Sequence, residues 1–497
     1  IMLVPVEFPP GVVRNGTQYQ TAGRWFDCNL VRWYDGQPQA IGGWGKVSAS
    51  AFAHKCRSLL SWRSNGGGKW LALGFSDKLR VSKGDATYYD ITPVGFTAGS
   101  DDPTEASGYG SSTYGASTYG TARPPGTFLP LSTWSLDTWG EDLVACMRGD
   151  GKLYEWSLST GTPAAVITNA PTGCTGLVVS DQRHLFALAP GGNMRKVQWC
   201  DKENNTSWAP SSTNEAGSYE LQTTGVIQCG LRVRGEVLVL TSTDAHVLRY
   251  IGQPFIYSKD RAGTDCGIVG PLACAAIESR AVWMGDKSFW VYEGSGVRPL
   301  PCDVSDYVFS DFNRTMREKV ICGHNAQFGE VWWWYCSASA TEPDRYVAWN
   351  YRGNHWIIGS LPRTAWCDQG VFTTPFAMGT DNFQYSHEDG HLDSGATRVG
   401  KVYLESGVIE HEYGDNILSI VQVVPDEKTR GQVSVTFKSR FTPNGDEYSF
   451  GPYTVRSDGY TDCRFSGRQI VMRVEPTVDD DWRIGTFRLD GTIGGRR

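Results

Sequence analysis

The segment 330–359 is the most constraining part of the chain, because it holds three short runs of β-branched and aromatic residues in close succession. Polar turns separate these runs, which are residues 331–335, 346–351 and 355–358. Runs of this length and composition predict β-strands. Three of them in succession predict an antiparallel meander.

Both faces of the first of these strands are apolar. Side chains alternate between the two faces of a strand, so Trp332 and Trp334 lie on one side while Trp333 and Tyr335 lie on the other. A single meander cannot cover two apolar faces, and it needs similar sheets packed against both sides. We therefore expect the three tryptophans to pack between neighbouring sheets rather than to stack on sugars or bases.

Groups of short strands recur along the chain. Their core strands lie about 40 to 50 residues apart, with one longer gap, and this period is typical of propeller blades. These core strands are centred near Leu71, Val144, Leu185, Leu238, Val282 and Trp333. The sequence therefore predicts an all-β protein with an irregular β-propeller of about six blades, one or two more or fewer, over residues 46–399.

Three other regions depart from this period. Residues 1–45 predict an extended N-terminal arm and a β-hairpin at Asp35-Gly36, which either reaches a neighbouring subunit or completes a sheet of its own chain. The longer gap holds a Tyr/Gly-rich insertion at residues 97–130, which fits either a flexible surface loop or a tyrosine-rich contact loop. Residues 400–497 contain period-two strands and predict a β-sandwich-like or platform domain.

Composition narrows the classes of function. The net charge is −7, charged residues make up 20% of the chain and no basic stripe is present, which argues against tight electrostatic binding of nucleic acid. No segment approaches the roughly 20 apolar residues of a membrane span, and the start lacks the features of a signal peptide. The 13 cysteines include no C-x-x-C pair, so we expect reduced thiols and a cytosolic folding compartment.

One motif matches the sequence pattern of a zinc protease. Residues 387–391 read H-E-x-x-H, but Asp389-Gly390 is a turn dipeptide and no apolar helical period flanks it. We therefore expect a turn between two domains that carries two exposed histidines, and neither a metal nor a cofactor. The helix that the sequence does predict lies at residues 304–312, with Ser305 as its candidate N-cap.

Carboxylates would be needed if this propeller were a glycoside hydrolase, and they would line its central channel. The candidates are Asp137, Asp142, Asp244, Asp286 and Asp306. The Ser-x-Asp-x-Gly-x-Thr-Trp box of sialidase blades is only echoed by residues 135–140, and the acidic run 479–481 is typical of a solvated turn. We therefore expect no catalysis.

Six stretches together resemble a family of structural proteins from short-tailed, podovirus-type bacteriophages, the tail nozzle or tail hub proteins. The likeness runs over nearly the whole chain, in residues 9–44, 134–156, 282–294, 301–313, 330–335 and 481–497. The resemblance implies a β-propeller on a β-rich platform that assembles as a homo-hexamer. This nozzle ring would surround the DNA channel below the portal adaptor, where it would serve genome retention and ejection without catalysis or cofactors.

The resemblance also implies partners and a location. The partners are the portal adaptor or head-tail connector protein, tail fibre or needle proteins, and genomic double-stranded DNA in transient passage. The location is the virion tail, after assembly in the bacterial host cytoplasm. The alternative is a distal host-receptor-binding adhesin or a glycan-degrading tail protein, although trimeric spikes usually carry β-helix repeats that this chain lacks.

Candidate contacts between subunits follow from the hypothesis that extended arms, edge strands and a tyrosine-rich loop add to neighbouring copies. Two sets of residues are involved, one in the arm and hairpin and one in the Tyr/Gly-rich insertion. They are Arg24, Trp25, Trp33, Tyr34, Tyr109, Tyr114 and Tyr119.

Overall fold

The computed structural model describes residues 2–106, 127–411, 414–424, 426, 432–454, 456 and 459–495. Within these residues the fold is almost entirely β, and seven four-stranded antiparallel sheets form the blades of a propeller. No described helix is both long and apolar enough to cross a bilayer. The all-β propeller predicted from the sequence is confirmed.

The first three blades follow one another along the chain, and in each of them consecutive strands pair as a meander. Blade 1 consists of Cys56–Arg63, Lys69–Phe75, Leu79–Ser82 and Tyr88–Asp90. Blade 2 consists of Trp134–Trp139, Asp142–Met147, Leu153–Trp156 and Ala165–Val166. Blade 3 consists of Gly176–Val179, Leu185–Leu188, Lys196–Trp199 and Gly217–Glu220.

The next three blades repeat this arrangement. Blade 4 consists of Ile227–Val233, Glu236–Thr241, Ala245–Gly252 and Ile256–Gly263. Blade 5 consists of Cys274–Ile277, Arg280–Met284, Phe289–Tyr292 and Val297–Leu300. Blade 6 consists of Ile321–Asn325, Glu330–Tyr335, Arg345–Asn350 and His355–Ser360.

Blade 7 closes the ring with a strand from the start of the chain. Its first three strands are Arg363–Cys367, Phe376–Gly379 and Gln384–His387, and its outer strand is Trp44–Lys46. The first strands of successive blades contact one another around the ring, and blade 7 contacts blade 1. The described residues therefore form seven blades, one more than the six units counted from the sequence, because blade 7 has only three consecutive strands and takes its fourth from residues 44–46.

The tryptophans of segment 330–359 pack between blades as predicted. Trp334 of blade 6 stacks on Trp366 of blade 7, with ring centroids 5.2 Å apart. On the other face, the ring of Trp333 lies 4.8 Å from that of Phe289 in blade 5. Contacts of this kind add about 0.5 to 1.5 kcal/mol each beyond the burial of apolar area.

The C-terminal region forms a β-sandwich with strands from both ends of the chain. The first sheet, in spatial order, consists of Met2–Val6, Phe487–Ile493, Leu418–Val424 and Thr461–Gly467. The second consists of Trp25–Asn29, Tyr403–Ser406, Gln469–Pro476, Val433–Arg440 and Tyr448–Thr454. Residues 1–45, predicted as an arm and hairpin, are thus shared between this sandwich, the propeller and the hairpin that joins them.

The remaining elements are short. The predicted hairpin is present as Val31–Tyr34 and Gln37–Ala40, with Asp35 and Gly36 at positive φ as a type I′ turn requires. The α-helix Ser305–Asp311 is also present, but Val304 is its N-cap and no side chain caps it. Two 3₁₀ helices, Pro190–Gly192 and Arg314–Lys319, and the two-stranded stem Thr104–Ala106 with Thr127–Leu129 complete the described elements.

Candidate functional site

The N-terminal segment joins the sandwich to the outer edge of blade 6, and we call this region the junction. Val12 donates its backbone N–H to the carbonyl of Trp356 at 2.8 Å, and the hydroxyl of Tyr346 accepts the N–H of Leu30 at 3.0 Å. Asn29 accepts the N–H of Ser360 through its side-chain oxygen at 2.7 Å. In each contact a polar group of the segment bonds to blade 6 instead of to water, and these bonds hold the N-terminal segment against the propeller of the same chain.

A buried ion cluster lies at the centre of the junction. Arg32 donates to both oxygens of Glu330 at 3.1 and 3.0 Å, and to both oxygens of Glu388 at 2.8 and 2.6 Å. Arg32 and Glu330 are each 1% exposed. Fork-to-fork geometry of this kind suits a guanidinium better than an ammonium.

The electrostatics of the cluster follow from its burial. Burial alone would lower the pKa of Arg32, but Glu330 and Glu388 raise it above its usual value. Burial raises the pKa of Glu330 above its usual 4.5 by more than Arg32 lowers it. Arg32 is therefore firmly charged, and Glu330 depends on it for its own charge.

A cavity of about 260 Å³ opens beside this cluster. Arg32, Gln39 and Glu388 line its inner part, and His391 and the exposed Asp480 lie on its wall. Phe328 covers the guanidinium of Arg32, which lies 3.7 Å from the ring centroid. In the described part of the chain, no group of three metal-ligating side chains is placed to hold an ion, here or elsewhere.

The residues of the H-E-x-x-H motif, 387–391, lie at this junction. His387 is buried at the end of a blade 7 strand and stacks on Trp44, with ring centroids 5.5 Å apart. Arg363 donates from Nε to His387 Nε2 at 2.8 Å, and burial together with the positive charge of Arg363 holds the pKa of His387 well below its usual value. Glu388, at φ 57°, ends the strand and pairs with Arg32.

The absence of a helix at this motif agrees with the sequence analysis. The expectation of two exposed histidines is wrong for His387, because the closing strand Trp44–Lys46 covers it. His391 is partly exposed.

The central channel of the propeller holds a second cavity of about 210 Å³. The first strands of all seven blades contribute to its wall. One end, which we call the upper mouth, is where these first strands begin. Arg148 of blade 2 crosses it to reach Glu318 at 3.2 Å and Gln228 of blade 4 at 3.4 Å. Blades 2 and 4 are not neighbours in the ring, so the contacts of Arg148 span the upper mouth of the channel.

The stem of the Tyr/Gly-rich insertion is fixed beside the upper mouth. Lys319, fully buried, pairs with Asp102 at 2.5 Å and with Glu342 at 2.7 Å. Arg57 donates to the carbonyl of Asp101 at 2.9 Å and to Glu342 at 2.8 Å. These charges are used to hold the base of the insertion, so they are not free to bind a ligand.

The predicted contact residues lie in different environments. Trp25 and Trp33 are 5% and 2% exposed and pack in the core of the chain. Tyr34 is 39% exposed and packs edge-on against Phe328, while Arg24 is partly exposed. Tyr109, Tyr114 and Tyr119 lie outside the described residues. Trp25 is buried because its strand, Trp25–Asn29, pairs within the sandwich, and Trp33 is buried against the rings of Trp25 and His355.

The candidate hydrolase carboxylates lie in separate parts of the fold. Asp137 accepts the N–H of Val179 between blades 2 and 3 at 2.9 Å, and burial raises its pKa. Asp244 accepts the hydroxyl of Thr223 in the upper loops of blade 4 at 2.7 Å. Asp142 begins the second strand of blade 2, Asp286 pairs with Arg314, and Asp306 lies in the first turn of the α-helix. Each of these carboxylates therefore has a different environment.

Two features of the junction and channel were not predicted. The Arg32 cluster has only a faint signal, a charged residue inside the apolar run 30–34. The second is a contact between the sulfur atoms of Cys229 and Cys274, 3.4 Å apart in the channel wall. Two cysteines that lie 45 residues apart match no sequence motif that would predict their contact.

The fold defines the class of the chain, the β-propeller proteins. Comparison with solved structures finds the following similarities. Virginiamycin B lyase from Staphylococcus aureus is 8% identical, with a TM-score of 0.42 over 69% of this chain and 97% of that chain. The Pan2 WD40 domain of Neurospora crassa is 9% identical, with a TM-score of 0.42 over 70% and 97%. The Doa1 WD40 propeller is 10% identical, with a TM-score of 0.40 over 69% and 97%. No family model and no curated protein matches the chain.

Proposed function

We propose that this protein is a non-enzymatic structural component of a short-tailed bacteriophage tail. Copies of the chain form a hexameric nozzle ring around the DNA channel, below the portal adaptor and in contact with fibre or needle proteins. The ring retains the genome in the virion and guides its ejection. The protein reaches the virion tail after assembly in the host cytoplasm.

The observation that carries the proposal is the sequence resemblance and where its stretches lie. Residues 9–44, 301–313 and 330–335 meet at the junction, where the Arg14 N–H binds the carbonyl of Asp303 at 2.8 Å and Arg32 binds Glu330. Residues 481–497 include the sandwich strand Phe487–Ile493. Four of the six stretches thus lie at the junction or in the sandwich, and residues 134–156 and 282–294 lie in blades 2 and 5. Contacts between the propeller and its platform are what a structural role would use.

The size of the propeller channel supports a ring of several copies. Its cavity of about 210 Å³ is walled by the first strands of all seven blades and crossed at one end by Arg148. A B-form duplex, whose major groove alone is about 12 Å wide, cannot enter such a space. A path for DNA must therefore lie between copies of the chain, and the net charge of −7 would limit adhesion of DNA to its wall.

The separate environments of the candidate hydrolase carboxylates support a role without catalysis. A glycoside hydrolase holds two carboxyl groups about 5 to 9.5 Å apart across one glycosidic bond. Asp137, Asp244 and Asp286 instead engage separate partners in different parts of the ring. Purified protein should leave the capsular and O-antigen polysaccharides of the host unshortened.

The direct experiment is electron microscopy and native mass measurement of the purified chain, alone and with the portal adaptor protein. The proposal requires closed hexameric rings with an opening wide enough for duplex DNA. A trimer that binds or shortens host glycans would support the adhesin or depolymerase instead. A monomer that also fails to bind the adaptor would contradict the proposal.

A further inference from the structure

Two thiols from neighbouring blades meet in the wall of the propeller channel. Cys229 lies on the first strand of blade 4 and Cys274 on the first strand of blade 5, and their sulfur atoms are 3.4 Å apart. Both are half-buried, and both line the cavity of about 210 Å³. The two strands belong to different sheets, so no backbone ladder links the blades at this point.

A local irregularity sets the position of Cys229. Its strand is regular from Cys229 to Val233, but the register shifts, as at a β-bulge, between Ile227 and Cys229. A bulge adds a residue to one strand and redirects the side chains around it. Cys274 needs no such adjustment, because it starts a regular strand opposite Trp283.

We propose that Cys229 and Cys274 are a site of oxidative modification and form a disulfide that joins blades 4 and 5. The sulfurs must approach by roughly 1.4 Å to reach the bond length of a disulfide, about 2.05 Å. Side-chain rotation and slight sliding of two packed blades supply such a shift. The bond closes a loop of 45 residues and restricts the unfolded chain, so it stabilises the fold.

The reaction balances with a peroxide as the two-electron oxidant. One thiol loses its proton, and its thiolate attacks a peroxide oxygen; hydroxide leaves and takes up that proton as water, which gives a sulfenic acid. The second thiolate displaces hydroxide from that sulfur, and the S–S bond forms as a second water leaves. In sum, two thiols and one hydrogen peroxide give one disulfide and two waters.

The reduced pair is a slow substrate for this reaction. The hydrogen bond with Cys274 and burial raise the pKa of Cys229, so the reactive thiolate is scarce at neutral pH. The pair therefore remains reduced in a thiol-rich cytoplasm and is oxidised after prolonged exposure outside it. The inference rests on the geometry of the channel and does not require the phage function.

The test is peptide mapping of the full-length protein after oxidation. Reduced protein, freed of reductant, is treated at low concentration with hydrogen peroxide and digested without reduction. We expect a peptide pair linked through Cys229 and Cys274, a loss of about 2 Da per chain, and no dimer on a non-reducing gel. Unlinked sulfinic acids at these positions, or Cys274 linked to Cys322, would overturn the proposal.

Matched variants give a second readout. Cys229→Ser and Cys274→Ser should each remove the linked peptide, whereas Cys322→Ser, on the first strand of blade 6, should retain it. Oxidised wild-type protein should melt at a higher temperature than reduced protein, and Cys229→Ser should lose that difference. A lower melting temperature on formation of the link would contradict a disulfide that fits the fold. Mapping of the wild-type protein decides the question even if a variant folds poorly.

Discussion

At the scale of single residues, buried charge and close backbone approach hold the junction together. Arg32 satisfies two carboxylates, and its removal would leave Glu330 buried without a cation. Gly11 lies against blade 6 at φ 92°, where an added Cβ would come 2.5 Å from the Cβ of His355. These positions have few acceptable substitutes, because Arg32 is the cation of the cluster and Gly11 leaves no room for a side chain.

Replacing Arg32 by Met should lower the free energy of unfolding by about 3 to 5 kcal/mol, because it strands a buried carboxylate. Urea unfolding followed by circular dichroism measures the change. The matched control is Arg298→Ala, which removes an exposed ion pair with Glu293 and should cost less than about 1 kcal/mol. Equal effects of the two substitutions would contradict the role of Arg32.

The Arg32→Met variant should also respond to pH with a definite sign. The folded-state pKa of Glu330 is already above 4.5, and loss of Arg32 would raise it further. A carboxyl group with a raised folded pKa binds its proton more tightly when folded, so stability increases as pH falls through that pKa toward 4.5. The difference in the free energy of unfolding between wild type and Arg32→Met should therefore decrease as the pH falls from 8 to 5. A constant deficit would show that Glu330 is not the stranded group.

Gly11→Ala tests the close approach of the N-terminal segment to blade 6. Steric contact with His355 and a positive φ should together cost about 2 to 4 kcal/mol. Gly36→Ala is the matched control, since Gly36 also has a positive φ, 78°, but nothing lies within 4 Å of an added Cβ. It should cost about 1 kcal/mol. Calorimetric melting of both variants separates the clash from the backbone strain.

At the scale of elements, the strand Trp44–Lys46 couples the two ends of the propeller. It pairs with Gln384–His387, and Trp44 also donates from Nε1 to Asp393 at 2.7 Å. The same segment supplies Met2–Val6 and Trp25–Asn29 to the sandwich. The ring and the sandwich are therefore closed by one stretch of chain, and deletion of the residues before Arg24 should damage the monomer itself.

Trp44→Ala should destabilise the closure of blade 7. Loss of a buried indole that stacks on His387 should cost about 3 to 5 kcal/mol and should make residues 388–396 more sensitive to protease. Val94→Ala, at a position 85% exposed, should stay within about 0.5 kcal/mol of wild type. If both variants melt and digest like wild type, the closing strand is not what holds the ring.

Local patterns predicted the elements whose partners are close in sequence. The runs of segment 330–359, the Asp35-Gly36 turn and the helix near Val304 were found because each carries its own period or turn residues. The seventh blade was missed because its outer strand pairs across more than 300 residues. Arg32 and His387 were missed as partners of the junction, since only tertiary packing buries them.

At the scale of the whole molecule, the propeller and sandwich form one monomer whose own channel is too small for DNA. Function as a nozzle would then depend on surfaces between copies. Among the predicted contact residues, Tyr34 of the hairpin is exposed, whereas Trp25 and Trp33 are buried. Assembly and monomer stability should therefore respond to different residues.

Tyr34→Ala should weaken ring formation at least about tenfold while leaving the melting temperature of the monomer nearly unchanged. Mass photometry over a dilution series measures the ring fraction. Phe255→Ala is the control, since this side chain is 70% exposed on blade 4 and was not assigned to a contact. Rings that persist equally in both variants would remove Tyr34 from the interface.

The measurement that tests the central claim most directly is quantitative mass spectrometry of purified virions. It compares the copy number of this chain with those of the portal, adaptor and fibre proteins. A nozzle ring predicts about half the portal copy number in every particle. A fibre-like multiple of three per spike would indicate an adhesin, and absence of the chain from the particle would contradict the structural role.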